Sequence, residues 1–181
     1  MPKTLRTLNR YCVYTTNPIS LKIPAGVTSI DVWAISRNSN ISNIIVENGN
    51  SVYDSRNNCN AIIRTTTNTL ICGFKNTIIP NTVTSIESNA FQNCSGLTSI
   101  TIPESVTSIG QSAFENCYDL TSVTIPESVT SIGQYAFASC GSLTTVNYRG
   151  TQEQWNALLE NVGSNNDYLK NATLVPNYKG E

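Results

Sequence analysis

The chain has 181 residues, enough for one domain with a real core or for one short repeat array. Its formal net charge is -1 and only 13% of its residues are charged, which excludes the basic field that nucleic acid or an anionic membrane surface requires. It has no histidine, so an imidazole base, a Ser-His-Asp or Cys-His pair and a histidine metal ligand are excluded as well.

From the N-terminus, Leu5, Leu8, Tyr11 and Val13 alternate weakly, and residues 1–17 are expected to form an N-terminal cap. The stretch MPKTLRTLNRYCVYTTN is basic but has neither an apolar core nor a small-residue cleavage site, so it does not read as an export signal. No apolar run approaches the length of a membrane span.

Residues 18–40 carry Leu21, Ile23, Pro24, Val27, Ile30, Ala34 and Ile35 at spacings that return further along the chain. Residues 41–73 begin in the same way with Ile41, Ile44 and Val46 but run ten residues long. Asn48-Gly49 marks a tight turn there. Ala61–Arg64 and Thr69–Cys72 flank a Thr/Asn-rich turn, which predicts a small β-hairpin protruding from the array.

Residues 74–96, 97–119 and 120–142 are then three copies of one 23-residue unit, the last two agreeing at 17 of 23 positions. A fixed period in the twenties signals a solenoid, whose coils bury apolar residues only against neighbouring coils. Within a unit, LxxIxI predicts a short strand with Leu97, Ile100 and Ile102 inward, ended by Pro103, which cannot donate to a ladder. Val106 and Ile109 face inward from a second extended piece. After Gly110, QSAFENC reads as one short helical turn with Ala113, Phe114 and Cys117 inward. The phenylalanines at 91, 114 and 137 should stack as a spine.

Residues 143–150 supply a last partial unit, Leu143, Val146 and Tyr148, and the period stops. Thr151 and Gln154 form a capping-box pair, and Trp155, Leu158 and Leu159 lie at helical spacing. A helix and a strand near Thr173–Pro176 are therefore expected to cap the array over residues 151–181, because an open end leaves an unpaired edge. The expected fold is a β-rich repeat solenoid with short parallel strands, one short helical turn per repeat and a C-terminal helical cap.

Six cysteines raise the question of disulfides or zinc. Cys94, Cys117 and Cys140 share one repeat position, so their side chains point the same way, which is poor disulfide geometry, and they read as buried thiols. Cys59 and Cys72 are left open between a bridge across the hairpin and two free thiols. No CxxC occurs, so no metal site is expected, and nothing in the chain asks for a cofactor.

Candidate contact residues fall in two places. The outward strand positions Thr98, Ser99, Thr101, Thr121, Ser122 and Thr124, with Glu104 and Glu127 beyond the prolines, make a hydroxyl sheet with an acidic edge on the concave side. The same residues are also ordinary exposed strand residues. No aromatic stripe lies on that sheet. The interruption at 51–60 contributes Tyr53, Asp54, Arg56, Asn57 and Asn58, where repeat proteins place binding loops, although an internally bonded turn accounts for the same residues. Stacking brings Glu104 close enough to Glu127 for the two carboxylates to couple. Tyr118 and Tyr135 are expected on the convex side.

LTSITIPESVTSIGQSAFENC closely resembles the repeat of BspA-type leucine-rich repeat proteins, and YRGTQEQWNAL is similar to the terminal cap of that family. The resemblance covers residues 18–178 and is weakest at 18–40, where Asp31, Ile35 and Asn38 replace Gly, Phe and Cys. It implies a right-handed leucine-rich-repeat coil in a surface-exposed or secreted binding protein linked to adhesion. The function expected is therefore a non-enzymatic protein-binding module, with protein as the partner class and glycan as the second. The alternative is a structural spacer or assembly subunit, including a virion-borne adhesin, and the state expected is a monomer or a weakly self-associating chain.

Overall fold

The computed structural model describes residues 4–10, 19–35 and 41–180; Tyr11, Cys12, Val13 and Asn38 lie outside them. The elements begin with β1 (Thr7–Leu8), β2 (Ile19–Ile23), β3 (Ser29–Ile30), a 3-10 turn at Val32–Ala34 and β4 (Ile41–Val46). The interruption follows, with β5 (Tyr53–Asp54), a 3-10 turn at Arg56–Asn58, β6 (Ala61–Arg64) and β7 (Thr69–Gly73). The regular coils supply β8 (Ser85–Ile86), β9 (Ser99–Thr101), β10 (Ser108–Ile109), β11 (Ser122–Ile125), β12 (Ser131–Ile132) and β13 (Thr145–Tyr148). The chain closes with α1 (Gln152–Glu160), α2 (Asp167–Asn171) and β14 (Thr173–Val175). The architecture is a β-solenoid of about six turns with few helices.

Each regular coil contributes one strand to each of two sides. The LxxIxI strands form the parallel order β14-β13-β11-β9, with β2-β4 as its N-terminal counterpart. The second extended pieces form β12-β10-β8, and β1-β3 pair likewise at the N-terminal end. Registers run in steps of 23, Ser99 to Ser122 to Thr145 and Ser85 to Ser108 to Ser131. Equivalent repeat positions therefore lie side by side, and the inward Leu, Ile and Val columns are buried.

On the third side the expected helical turn takes the form of alternating hydrogen bonds. The N–H groups of Ala90, Gln92 and Cys94 donate three residues back, to the carbonyls of Glu87, Asn89 and Phe91. Those of Asn89, Phe91 and Asn93 donate across to Gln111, Ala113 and Glu115 in the next coil. This zigzag needs a left-handed residue twice per coil, and Asn89, Ser112 and Tyr135 form one such column while Asn93, Asn116 and Ser139 form the other. Asn accepts that conformation readily, whereas a bulky residue such as Tyr135 is strained there.

Glycine is needed where coils come closest. A Cβ on Gly110 or Gly133 would lie 2.5 Å from the backbone nitrogen of Ser88 or Gln111 in the preceding coil. Inside, the rings of Phe91, Phe114 and Phe137 stack at centroid separations of 4.9 and 5.0 Å, interplanar angles 12° and 15°. That spacing matches the distance between paired strands, so one geometry serves backbone and aromatic core together.

The hairpin does not protrude. β6 and β7 pair antiparallel, β5 pairs with β6, and β7 joins β8 in parallel, so the hairpin is built into the sheet. Both of its faces are buried: Ala61, Ile63 and Leu70 pack in the C-terminal core, while Ile62, Ile71 and Cys72 pack in the N-terminal one with Leu21, Ile44 and Phe74. A continuous apolar run, rather than an alternating one, is the mark of a strand covered on both sides. Cys59 and Cys72 are free thiols that belong to different cores, and Cys94, Cys117 and Cys140 are free and buried as expected. The Cys117 and Cys140 Sγ–H groups donate to the Phe91 and Phe114 carbonyls, each at 3.2 Å.

At the C-terminal end α1 starts at Thr151 with both halves of the capping box made, and buries Trp155 and Leu158. Trp155 packs on Tyr148 with centroids 5.1 Å apart. After it, residues 162–166 retrace the path of 132–136. Val162 bridges to Ile132, a Cβ on Gly163 would lie 2.4 Å from the Gln134 nitrogen, and Asn165 is left-handed like Tyr135. Asn166, fully buried, replaces the missing next carbonyl: its Oδ1 accepts the Phe137 N–H at 2.8 Å. β14 then extends the ladder beside β13.

Phe114→Ala is expected to lower stability by about 3–5 kcal/mol, because a fully buried ring in the middle of the spine leaves a cavity with stacked neighbours on both sides. Urea unfolding checks this, and a midpoint that scarcely moves contradicts the spine. Burial pushes the thiols of Cys94 and Cys140 up to about 12 from an ordinary value of 9.0. Between those values the unfolded chain has released protons that the folded chain keeps, so stability is full below about pH 9 and falls toward pH 12. Urea midpoints at pH 8 and 10.5 should therefore separate more for the parent than for the Cys94→Ala/Cys140→Ala variant.

Candidate functional site on the strand face

The outward positions of the LxxIxI side carry the hydroxyl columns. Thr98, Thr121 and Thr144 are exposed, but their hydroxyls are turned partly to the stack: Thr121 Oγ1 donates to the Thr98 carbonyl at 2.9 Å and Thr144 Oγ1 to the Thr121 carbonyl at 3.3 Å. A hydroxyl that has given its proton inward offers acceptor lone pairs outward. Ser99 and Thr101 are exposed and Ser122 is partly so, whereas Thr124 is 7% exposed and does not present its side chain to a partner.

The glutamates are not a free carboxylate pair. Arg149, from the strand side of the last coil, reaches across the intervening coil to bind Glu104 at 2.8 Å. Glu127 Oε2 accepts from Gln154 Nε2 of α1 at 3.2 Å. Each carboxylate is therefore occupied by the C-terminal part of the chain, a pairing that the repeat period could not indicate because Arg149 stands where the earlier units have Pro103 and Pro126, and Gln154 lies beyond the repeats.

The interruption at 51–60 behaves differently from an exposed loop. Tyr53 is 4% exposed and packs in the N-terminal core. Asp54 accepts from Arg56 Nε at 2.9 Å, and Arg56 Nη1 bonds Asn68 Oδ1 at 2.9 Å and Thr82 Oγ1 at 3.2 Å. The hydrogen bond to the Asp54 carboxylate raises the Arg56 pKa above its ordinary value. Asn57 and Asn58 are exposed and left-handed. These five residues do line one depression of about 490 Å³ with Ile45 and residues 46–50.

Asn60 is a residue that the sequence did not flag. Its Oδ1 accepts the Ile44 N–H at 2.8 Å, and Ser55 Oγ accepts the Val46 N–H at 3.0 Å, so two side chains close the free edge of β4. Asn50 acts similarly, donating through Nδ2 to the Pro24 and Val27 carbonyls and accepting from the Val52 and Tyr53 N–H groups.

Thr77 is the other residue that sequence reasoning passed over. It stands where the next two coils have Ile100 and Val123. Its Oγ1 accepts the Phe74 N–H and donates to the Asn60 carbonyl, each at 2.7 Å, while its own N–H bonds the Phe74 carbonyl at 3.0 Å. These bonds fold 74–77 into a turn, and the LxxIxI strand is missing from this coil. The ladder therefore stops at β9, and a cleft of about 610 Å³ opens between 77–81 and 99–105, with Arg149 at its rim.

Among the described residues there is no group of three or more Cys, Asp or Glu side chains fit to hold a metal ion, and no helix is long and apolar enough to cross a membrane. No curated protein matches the chain. Among solved structures, a leucine-rich repeat protein from Eubacterium ventriosum is 27% identical, TM-score 0.65, over 82% of this chain and 41% of its own. A leucine rich cell surface protein from Faecalibacterium prausnitzii is 26% identical, TM-score 0.52, over 87% of this chain and 55% of its own. The pneumococcal vaccine antigen PcpA, at 15% identity and TM-score 0.58 over 89% of this chain and 45% of its own, shares the fold. The chain thus spans about half the length of the structures it resembles. The sequence profile of the BspA type leucine rich repeat region matches residues 1–69 and 62–177 in six copies, and the chain belongs to that family.

Proposed function

We propose that the chain is a non-enzymatic protein-binding module, of the kind carried on a bacterial cell surface, and that it presents the outward LxxIxI side to its partner. The observation that carries this reading is the in-register hydroxyl surface, Thr98 and Ser99 beside Thr121 and Ser122 beside Thr144 and Thr145. It is flat, ordered by the ladder itself and rich in acceptors, which suits the donor-bearing side chains and main chain of a protein partner. The cell-surface description of the Faecalibacterium relative supports the placement. The absence of histidine and the engagement of both glutamates weigh against catalysis.

Of the two candidate surfaces, this reading favours the strand side over 51–60, where Tyr53 is buried and Asp54 and Arg56 bind each other. A glycan ligand is less favoured, because the surface has no aromatic platform. A second reading rests on β14, whose outer edge pairs with no strand among the described residues and which would suit an assembly subunit or spacer stacking end to end. Solution mass separates the two, since a defined oligomer favours assembly.

The test is a biosensor panel of purified extracellular proteins against the parent chain and the Thr98→Lys/Thr121→Lys/Thr144→Lys variant. Saturable binding at least tenfold weaker in the variant, compared at a temperature where both chains are folded, is the expected outcome; the adjacent lysines and the lost Thr121 and Thr144 hydroxyl bonds should lower the melting temperature. Binding that survives this change but is lost on Asn57→Ala/Asn58→Ala would move the site to the interruption.

A further inference from the structure

We propose that the cleft between residues 77–81 and 99–105 binds an extended peptide segment, which adds as a strand to the free edge of β9. The inference rests on the protein-binding reading above and names a mode and a place for it. In the ladder, Ile102 donates to the Thr124 carbonyl of β11, so Ile100 and Ile102 point their backbone groups at that strand. Ser99 and Thr101, one residue out of phase, point theirs the other way, into the cleft. In the neighbouring strand the corresponding Ser122 and Thr124 groups face β9 and are paired. Those of Ser99 and Thr101 meet no strand among the described residues, because Thr77 has folded the preceding segment into a turn.

An open edge is a liability that proteins ordinarily cover. This chain covers the comparable edge of β4 with its own Asn60 and Ser55 side chains. It leaves β9 open beside a cavity of about 610 Å³, within the range of ligand sites. The lining commits the occupant. Alternating N–H and C=O dipoles along β9 are complementary in charge to an extended backbone and would continue the existing ladder by one strand. Ile79 and Ile100 line the cleft, and Ile78, 76% exposed, stands at its mouth, so apolar side chains at alternate positions of the peptide have somewhere to go. The Glu104–Arg149 pair also lines it, offering polar groups beside the apolar ones.

The probe is the acetylated and amidated peptide Thr-Ser-Val-Thr-Ile, which reproduces residues 121–125, titrated into 15N-labelled full chain. Amide shifts are expected at Ile78, Ser99 and Thr101, and N-methylation of alternate peptide residues should weaken binding at least tenfold. Thr77→Ile restores the repeat pattern and should close the cleft, abolishing binding; because it also removes the hydroxyl that pairs the Phe74 N–H and the Asn60 carbonyl, its fold is checked by circular dichroism at the titration temperature. Ser99→Pro is a second variant: it removes an N–H that no strand uses, at an edge position where proline is tolerated, and should also abolish binding. Shifts located elsewhere, indifference to N-methylation, or equal binding by the parent and Ser99→Pro would overturn the proposal. Such a result leaves the hydroxyl surface as the binding side, and loss of partner binding in its lysine variant tests that reading separately.

Discussion

Hydrogen bonding from one coil to the next, 22 to 24 residues on, is the constraint from which the other features of this molecule follow. It runs on three sides at once: through the LxxIxI ladder, through the shorter second ladder, and through the zigzag of turns at 88–94 and its repeats. For all three to hold, successive coils must keep one separation and one backbone path. Gly110 and Gly133 are what that separation demands at its tightest point, and the left-handed Asn and Ser columns are what the path demands at its corners. The phenylalanine spine is compatible with it because stacked rings and paired strands share a spacing of about 5 Å.

The inward columns were legible in the sequence because burial forces them to recur: Leu97, Ile100, Val106, Phe114 and Cys117 return at the same offsets and all are buried. The helical cap was legible too, since Thr151 and Gln154 announce their own hydrogen bonds. Apolar periodicity does not report side chains that bond the backbone. Asn60, Asn166 and Thr77 each replace or divert a main-chain hydrogen bond at a place where the period fails; Asn60 and Asn166 belong to no apolar column, and Thr77 interrupts the one that Ile100 and Val123 continue. The hairpin is legible in the strand patterns of Ala61–Arg64 and Thr69–Cys72, but its placement is not, because a local pattern marks two strands without showing that both of their faces need cover. Val162–Asn166 continues the coil with only Val-Gly surviving from Ile-Gly, too short a match to be seen by period.

The candidate contact residues divide along the same line. Tyr53, Asp54, Arg56 and Thr124 are drawn into the fold, by burial or by an internal ion pair, whereas Thr98, Thr121 and their neighbours remain outward. The interruption at 51–60 thus works mainly inward: it fills the space beside β4, supplies the acceptors Ser55 and Asn60, and feeds the hairpin that separates two cores. The break with an outward consequence is smaller, a single Thr77 in place of a branched apolar residue, and its effect is felt one coil later, at the exposed edge of β9.

The exposed edge exists only if the ladder stops at β9. Amide hydrogen exchange of the native chain reads this residue by residue. A ladder that ends at β9 gives alternation across one strand, with the Ile100 and Ile102 amides strongly protected and those of Ser99 and Thr101 exchanging far faster, while Ser122 and Thr124 in the neighbouring strand are protected. Uniform protection from Ser99 to Ile102 would show that residues 74–80 pair with β9 after all, and would contradict it.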